Sequence, residues 1–194
     1  MSKRKTAEDT RPSKRQKLDS HPQFQLITAS LVLSVPPLFA SNPRDGAQQM
    51  LDSMVMRYIP ALKGVVLAHS NLSFLKPTAA ITADCPFLIC HVQFDATVWS
   101  PNLHMKLTGK ISLCSPDHIS LLVHRTFNVS IPRKHIPEEW VYEPADETEP
   151  DNGRWVHQKT QKPLGGEDGY VEFTVIGLTV ANEMLSLEGA LDVP

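Results

Sequence analysis

Cysteine and histidine side chains near the middle of the chain are the first candidates for chemistry. Cys90 adjoins His91, and Cys85 lies five residues earlier. A zinc site needs four such ligands at compatible spacing, but only Cys114 remains, without a second Cys or His in a knuckle pattern. We interpret the cysteines as buried strand residues. The sequence also lacks a Gly-x-Ser-x-Gly elbow and a phosphate-binding glycine-rich loop, so we predict no catalytic residue, metal or cofactor.

A second group of residues has the types that contact single-stranded nucleic acid. Phe127 could offer a stacking platform, with cationic side chains nearby. The alternative for Phe127 is a core position at a bend between two strands, and the alternative for the cations is a scattered solvated face. The candidate RNA-contact set is Lys106, Lys110, His124, Arg125, Phe127, Arg133 and Lys134.

The distribution of charge limits this nucleic-acid hypothesis. Residues 1–20 carry seven basic and three acidic residues, and 21–98 carry four of each. Residues 99–194 carry eight basic and fourteen acidic residues, within a chain whose net charge is −2. An acidic second half argues against a surface that coats nucleic acid in general.

The N-terminal tail is almost free of apolar residues, which predicts disorder over 1–21. It carries two basic clusters in the layout of a bipartite nuclear-import signal, with a merely solubilising tail as the alternative. The predicted signal residues are Lys3, Arg4, Lys5, Lys14, Arg15 and Lys17.

Membrane and secretory classes are not favoured. The most apolar stretch, 26–40, is broken by polar residues and by Pro36-Pro37, so we predict no membrane span. The polar N-terminus predicts no secretory signal, and three scattered cysteines favour a reducing compartment.

The first half of the chain reads as a small α+β unit, 22–98. Apolar residues alternate along 24–35, predicting a strand that Pro36-Pro37 stops. A helical stripe from Ala47 to Tyr58 follows, capped by Asn42 or Asp45 and closed by Pro60. Strands at 63–73 and 87–99 complete a sheet covered on one face by one helix. After the first strand, Pro36, Pro37, Leu38 and Phe39 could form an exposed apolar knob, or an ordinary turn packed on the helix.

The second half, 99–194, has the pattern of a five-stranded oligonucleotide/oligosaccharide-binding (OB) barrel. Three strands are predicted at 103–113, 119–124 and 127–131, with a bend or bulge at Gly109 and a turn at 115–118. A short helical turn at 135–140 and an acidic, solvated loop over about 138–153 follow. After a glycine turn at 165–169, strands at 170–176 and 185–191 flank a turn at 181–183.

Taken together, the two halves resemble the larger stalk subunit of eukaryotic RNA polymerase I, which is the counterpart of the seventh subunit of polymerase II and of an archaeal stalk protein. The resemblance covers 22–194. It rests on Leu31–Pro37, Leu62–Ala68, Gly109-Lys110-Ile111, His118-Ile119, Phe127–Pro132, Val171–Val175 and Leu185–Gly189.

This resemblance implies a non-catalytic subunit in the nucleus and nucleolus. Residues 22–98, here called the tip domain, would dock to the polymerase core, with Pro36, Pro37, Leu38 and Phe39 as candidate contacts. Residues 99–194, the barrel domain, would lie at the outer end of the stalk. The implied partners are a smaller stalk subunit, the polymerase I initiation factor and nascent RNA. The alternative is a free-standing single-strand RNA-binding or ribosome-assembly factor.

Overall fold

The computed structural model describes residues 22–82, 84–144 and 153–191. The six predicted import-signal residues lie outside these ranges. The tip domain contains β1 (Phe24–Val35), α1 (Pro43–Asp52), β2 (Tyr58–Ile59), β3 (Gly64–Phe74), β4 (Ala80–Thr82) and β5 (Cys85–Trp99). The barrel domain contains β6 (Lys106–Cys114), β7 (His118–Val123), β8 (Phe127–Pro132), β9 (Trp140–Glu143), β10 (Arg154–His157), β11 (Tyr170–Ala181) and β12 (Met184–Ala190).

The tip domain is an antiparallel sheet with strand order β1-β5-β3-β2, to which β4 adds by pairing with β5. β1 pairs with β5 along its whole length, from Phe24 opposite Trp99 to Val35 opposite Leu88. Alternate residues of β5 face the helix, as its period-two pattern predicts. The five residues of β5 on this face are buried: Cys90, Val92, Phe94, Ala96 and Val98.

Helix α1 covers this face but is shorter than the apolar stripe predicts. It begins after Asn42, as expected, and buries Ala47 and Leu51. It ends at Asp52, because the chain turns at Met56 and the Met56 N–H donates to the carbonyl of Val66 at 2.7 Å. The backbone from there pairs with the edge of β3, and strand pairing replaces the last helical turns.

The barrel domain closes in the strand order β11-β12-β8-β7-β6, with β6 returning to β11. β12 and β8 are parallel, with Leu187 opposite Val129, and the other neighbours are antiparallel. The predicted three-plus-two OB-type barrel is therefore confirmed. Its interior includes Leu107, Ile119, Leu121, Val129, Ile131, Phe173, Val175 and Leu187.

Several barrel boundaries differ from the sequence prediction. The register shift in the first barrel strand lies between Ile111 and Leu113, and not at the predicted Gly109. A Cβ at Gly109 would lie 3.0 Å from Cβ of Leu121, so this glycine makes room for a core side chain. The strand begins at Lys106 and not at residue 103, and β11 extends to Ala181, beyond the predicted end at 176.

The flanks of the acidic segment are structured, contrary to the prediction of one loop over about 138–153. β9 and β10 form an antiparallel pair within and just after it, and the predicted helical turn at 135–140 is instead a 3₁₀ turn at Arg133–His135. The reason is Trp155, which is 1% exposed and donates its indole N–H to the carbonyl of Ser115 at 3.1 Å. Anchoring this indole in the barrel core holds β10 and its partner strand in place.

The two domains pack directly on each other. Val65 of β3 and Trp99, which ends β5 one residue beyond the predicted tip boundary at 98, belong to the barrel's hydrophobic core. Trp99 stacks on Phe127, with ring centroids 3.8 Å apart and an interplanar angle of 17°. The Tyr58 N–H also donates to the carbonyl of Glu183 in the β11–β12 turn at 2.7 Å. The end of the tip sheet at Phe24 and Trp99 is thus the end that meets the barrel.

Candidate nucleic-acid and docking surfaces

Phe127 occupies the core position that the sequence left as an alternative. Its side chain is 8% exposed and lies flat on Trp99 at the domain junction. A ring covered in this way presents no free face to a nucleotide base. The structure therefore favours the core interpretation of Phe127 over that of an exposed stacking platform.

His124 and Arg125 form the turn between β7 and β8, both in the left-handed region with φ of 51° and 61°. The His124 Nε2 lies 3.1 Å from Oε1 of Gln23, and this oxygen also accepts the indole N–H of Trp99 at 3.3 Å. The ring of Phe24 lies 5.2 Å from that of His124. His124 therefore contacts the tip domain, although both His124 and Arg125 are exposed to solvent.

Arg133 and Lys134 make contacts within the barrel domain. The Arg133 guanidinium lies 4.8 Å from the centre of the Trp155 ring and donates to the carbonyl of Trp140 at 3.3 Å. The Lys134 ammonium lies 3.5 Å from a carboxylate oxygen of Glu188. These contacts engage both exposed cations with neighbouring groups of the barrel domain.

Lys106 and Lys110 are exposed on the outer face of β6. Within the described ranges, Lys106, Lys110 and Arg125 have no carboxylate at ion-pair distance. Val123 pairs with Gly109, so the β7–β8 turn carrying Arg125 lies beside the first half of β6. The fold thus brings three of the seven predicted RNA-contact residues to one side of the barrel.

Strand register reveals a neighbour of Lys110 that the sequence analysis missed. Tyr170 of β11 lies opposite Lys110 of β6. On the other side of β6, Lys110 lies opposite Leu122 of β7, and Leu122 in turn lies opposite Asn128 of β8. This outer row joins an aromatic ring, a cation, an aliphatic side chain and an amide across four strands. Tyr170 is 45% exposed. The only signal in the sequence is a tyrosine that begins a strand after a glycine turn, and its partner depends on long-range pairing.

The far end of the tip sheet carries the predicted docking residues. Leu38 is 84% exposed, and Pro37 is exposed beside it. Phe39 instead packs on the core of the tip domain, close to Gly46. The segment therefore combines both alternatives, a projecting leucine and an anchored phenylalanine. Other exposed apolar side chains at this end are Phe74, Leu75, Ile81 and Phe87.

The thiols show no sign of metal binding in the part of the chain that the structure describes, where no cluster of three potential ligands occurs. Burial raises the pKa of the Cys90 thiol, and burial also raises the pKa of the Cys114 thiol. Raised values keep both side chains as neutral thiols. The interpretation of the cysteines as buried holds for Cys90 but is wrong for Cys85, which is exposed, and Cys114 is only partly buried. None of the helices in the described ranges is long and apolar enough to cross a lipid bilayer.

Comparison with known proteins decides the family. A family model described as the RPA43 OB domain in RNA Pol I matches residues 101–192. The chain is 38% identical over 164 residues to the DNA-directed RNA polymerase I subunit rpa43 of Schizosaccharomyces pombe, covering 84% of this chain and 93% of that protein. The chain belongs to the RPA43 family of RNA polymerase I subunits.

More distant RPA43 relatives match over a shorter region. The mouse DNA-directed RNA polymerase I subunit RPA43 is 31% identical over 57% of this chain and 33% of its own length. The human protein of the same name is 29% identical over 56% of this chain and 32% of its own length. The matched region thus spans about a third of these two relatives.

Membership of the RPA43 family confirms several expectations. The resemblance to the polymerase I stalk subunit and the OB barrel are confirmed. So is the expectation that the chain is a non-catalytic subunit of a DNA-directed RNA polymerase rather than an enzyme on its own. A family of RNA polymerase I subunits also indicates a nuclear location.

Proposed function

We propose that this chain is a stalk subunit that links the RNA polymerase I core to factors at the outer end of the stalk. The observation that carries the proposal is the match to a polymerase I subunit over 93% of that subunit's length. Its proposed role at the outer end of the stalk is to help recruit the initiation factor for rRNA gene transcription in the nucleolus.

The shape of the tip domain supports docking through its far end. β1 meets the barrel at Phe24 and ends at Val35, eleven residues away. At about 3.4 Å per residue, the two ends are roughly 37 Å apart. The exposed Leu38 lies just beyond Val35, so the apolar knob lies at the end of the tip domain that is far from the barrel domain. An adaptor needs its two contact surfaces separated in this way.

A smaller stalk subunit is the proposed partner at the domain junction. Leu178, Val180 and Met184 of the β11–β12 hairpin are exposed, although apolar. Met56 of the tip domain is also exposed, one residue before Arg57, whose guanidinium bonds Glu183 in the hairpin turn at 2.6 Å. A partner packed here would bury apolar surface from both domains at once.

Contact with nascent RNA is proposed as a weak, secondary activity of the outer barrel face. The row from Tyr170 to Asn128 offers one stacking ring and one cation without an ion-pair partner in the described ranges, with Lys106 and Arg125 nearby. Glu172 lies opposite Thr108, between the two lysines. This carboxylate and the acidic composition of the barrel limit affinity.

The test is affinity purification of the tagged full chain from nuclear extract, followed by identification of its partners. The proposed function predicts recovery of polymerase I core subunits together with a second, smaller stalk subunit. Recovery of the chain as a stable lone monomer would overturn it.

A free-standing single-strand RNA-binding factor is the second candidate, favoured only by the exposed Tyr170–Lys110 row. It predicts direct binding of an RNA oligonucleotide by the purified chain, with affinity that falls steeply with salt. Absence of measurable binding at about 50 mM salt, a permissive condition, would exclude this candidate.

A further inference from the structure

The tip domain contains a cleft beside the proposed docking knob. Its volume is about 430 Å³, and it lies between the start of α1 and the segment that follows β3. Phe74, Pro43 and Pro77 supply apolar walls, and the buried Cys90 contributes to the lining. A space of this size accommodates one or two side chains of a peptide.

The polar lining of this cleft is basic. Arg44 and Lys76 both line it, together with His91, whose Nε2 lies 3.2 Å from Nζ of Lys76. In the described part of the chain, no aspartate or glutamate lines the cleft. Among the ion pairs of the described ranges, none involves Arg44 or Lys76.

Most carboxylates of the tip domain are held by other partners. Asp45 accepts a hydrogen bond from Asn42 and lines a separate cleft with Phe39. The carboxylate of Asp52 lies 2.6 Å from His69. Asp95 accepts hydrogen bonds from the Thr28 and Asn71 side chains. Within the described ranges, Arg44 and Lys76 thus have no ion-pair partner, and an acidic ligand would supply one.

Resting on the proposed docking of the tip domain, we propose that this cleft binds an acidic peptide segment of a polymerase core subunit. One of its carboxylates pairs with the Arg44 guanidinium and the Lys76 ammonium, and an adjacent apolar side chain packs against Phe74. Charge complementarity selects an acidic partner, and the apolar walls select a peptide over a phosphate backbone, which would be tracked by a wider basic groove.

Site-specific cross-linking in the assembled enzyme tests the ligand directly. Ala79, which lines the cleft, is replaced by the photoreactive residue p-benzoylphenylalanine (Ala79→Bpa) in the full chain, and purified polymerase I is irradiated. The proposal predicts an adduct on a core subunit, within a segment rich in Asp and Glu. An adduct on a segment without net negative charge, on the smaller stalk subunit or on nucleic acid would overturn it. Lys159→Bpa, on the barrel surface, is the matched control.

Charge reversal provides a second readout. The double variant Arg44→Glu/Lys76→Glu is expected to lower the amount of co-purified core subunits roughly tenfold at near-physiological salt. The control, Lys159→Glu/Lys162→Glu, makes the same change of charge at exposed barrel positions and is expected to leave recovery unchanged. Equal recovery with both double variants would contradict the cleft proposal.

The two proposals fail in distinguishable ways. If the unmodified chain recovers no polymerase subunits, the proposed function is wrong. If it recovers them, and Arg44→Glu/Lys76→Glu recovers them equally well, polymerase membership stands and only the acidic-segment site is wrong. The urea midpoint of each variant, matched to that of the unmodified chain, shows that a loss of recovery does not come from unfolding.

Discussion

The indole of Trp99, the last residue of β5, lies flat on the ring of Phe127, the first residue of β8, with centroids 3.8 Å apart. The indole is fully buried, and its N–H donates to the Gln23 side chain. His124 meets the same indole edge-on at 6.1 Å. This stack joins the tip sheet to the barrel core, so the two domains share one apolar junction.

Breaking this stack is expected to destabilise the chain strongly. Trp99→Ala or Phe127→Ala removes a buried aromatic ring, at a cost of about 3–5 kcal/mol in the free energy of unfolding. Because the rings touch, the double variant should cost less than the sum of the single variants. Urea unfolding measures the free energy of unfolding of the two single variants and of the double variant. Phe87→Ala, at a ring that is 37% exposed, is the control and should cost clearly less; equal costs would show that the stack has no special role.

Gly46→Ala is expected to destabilise the tip domain, although replacing glycine by alanine inside a helix normally stabilises the helix by about 1 kcal/mol. A Cβ at Gly46 would lie 2.5 Å from Cγ1 of Val35 and 2.8 Å from Cβ of Phe39. The substitution should push Phe39 outward, lowering both the urea midpoint and recovery of polymerase subunits. Gln49→Ala, at an exposed position of the same helix, should be neutral or stabilising. A stabilising effect of Gly46→Ala would contradict the close packing.

Asp95 is expected to make the tip sheet sensitive to acid. Hydrogen bonds from Asn71 and Thr28, both 2.7 Å, lower the pKa of this carboxyl below its ordinary value. Because this pKa is lower in the folded state, the ionised Asp95 carboxylate stabilises the fold fully at pH values above the carboxyl pKa of the unfolded chain. This stabilisation is lost as the pH falls through the folded value, below about pH 4.

Comparing the unmodified chain with Asp95→Asn tests this acid sensitivity. The difference in urea midpoint between them should be largest near neutral pH and shrink progressively below about pH 4. Asp117→Asn is the control, because the Asp117 carboxylate makes no side-chain hydrogen bond within the described ranges. A difference for Asp95→Asn that stays constant from pH 7 to pH 3 would refute the role of its ionisation.

Tyr170 is expected to carry most of any direct RNA contact. Stacking on an aromatic side chain contributes about 1–3 kcal/mol per base, so Tyr170→Ala should weaken binding of a single-stranded oligonucleotide at least about fivefold. Lys110→Gln should reduce the salt dependence of binding by about one counterion. Fluorescence anisotropy at several salt concentrations measures both effects. Phe74→Ala and Lys159→Gln are the controls, and equal losses in the controls would rule out this face.

Leu38→Asp is expected to abolish docking without affecting folding. The side chain is 84% exposed, so a carboxylate there costs little stability, whereas it would be buried without a partner at an apolar interface. Recovery of core subunits should fall to background while the urea midpoint is unchanged. Val141→Asp, at an exposed barrel position, should leave recovery intact. Normal recovery with Leu38→Asp would remove the knob from the docking surface.

Local patterns in the sequence predicted the long strands and the barrel class, but not the short strands β2, β4, β9 and β10. The five alternate residues from Cys90 to Val98 are all buried, because side chains on a strand change face with every residue. The Ala181–Glu183 turn was also predicted from the sequence. In the structure, Asn182 and Glu183 occupy the left-handed region that such a tight hairpin turn uses. These features depend on neighbours a few residues apart.

Sequence by itself therefore determined the order of the long strands and of the helix, and the family, through the identity of short segments and their spacing. Only the tertiary structure decided that Phe127 is a junction residue, that Arg133 lies over Trp155, and that Tyr170 stands beside Lys110. It also decided where α1 ends, because pairing with β3 replaced the last helical turns. The physical reason is the same in each case: these contacts join residues far apart in the chain, and their partners are set by strand register and domain packing rather than by any local pattern.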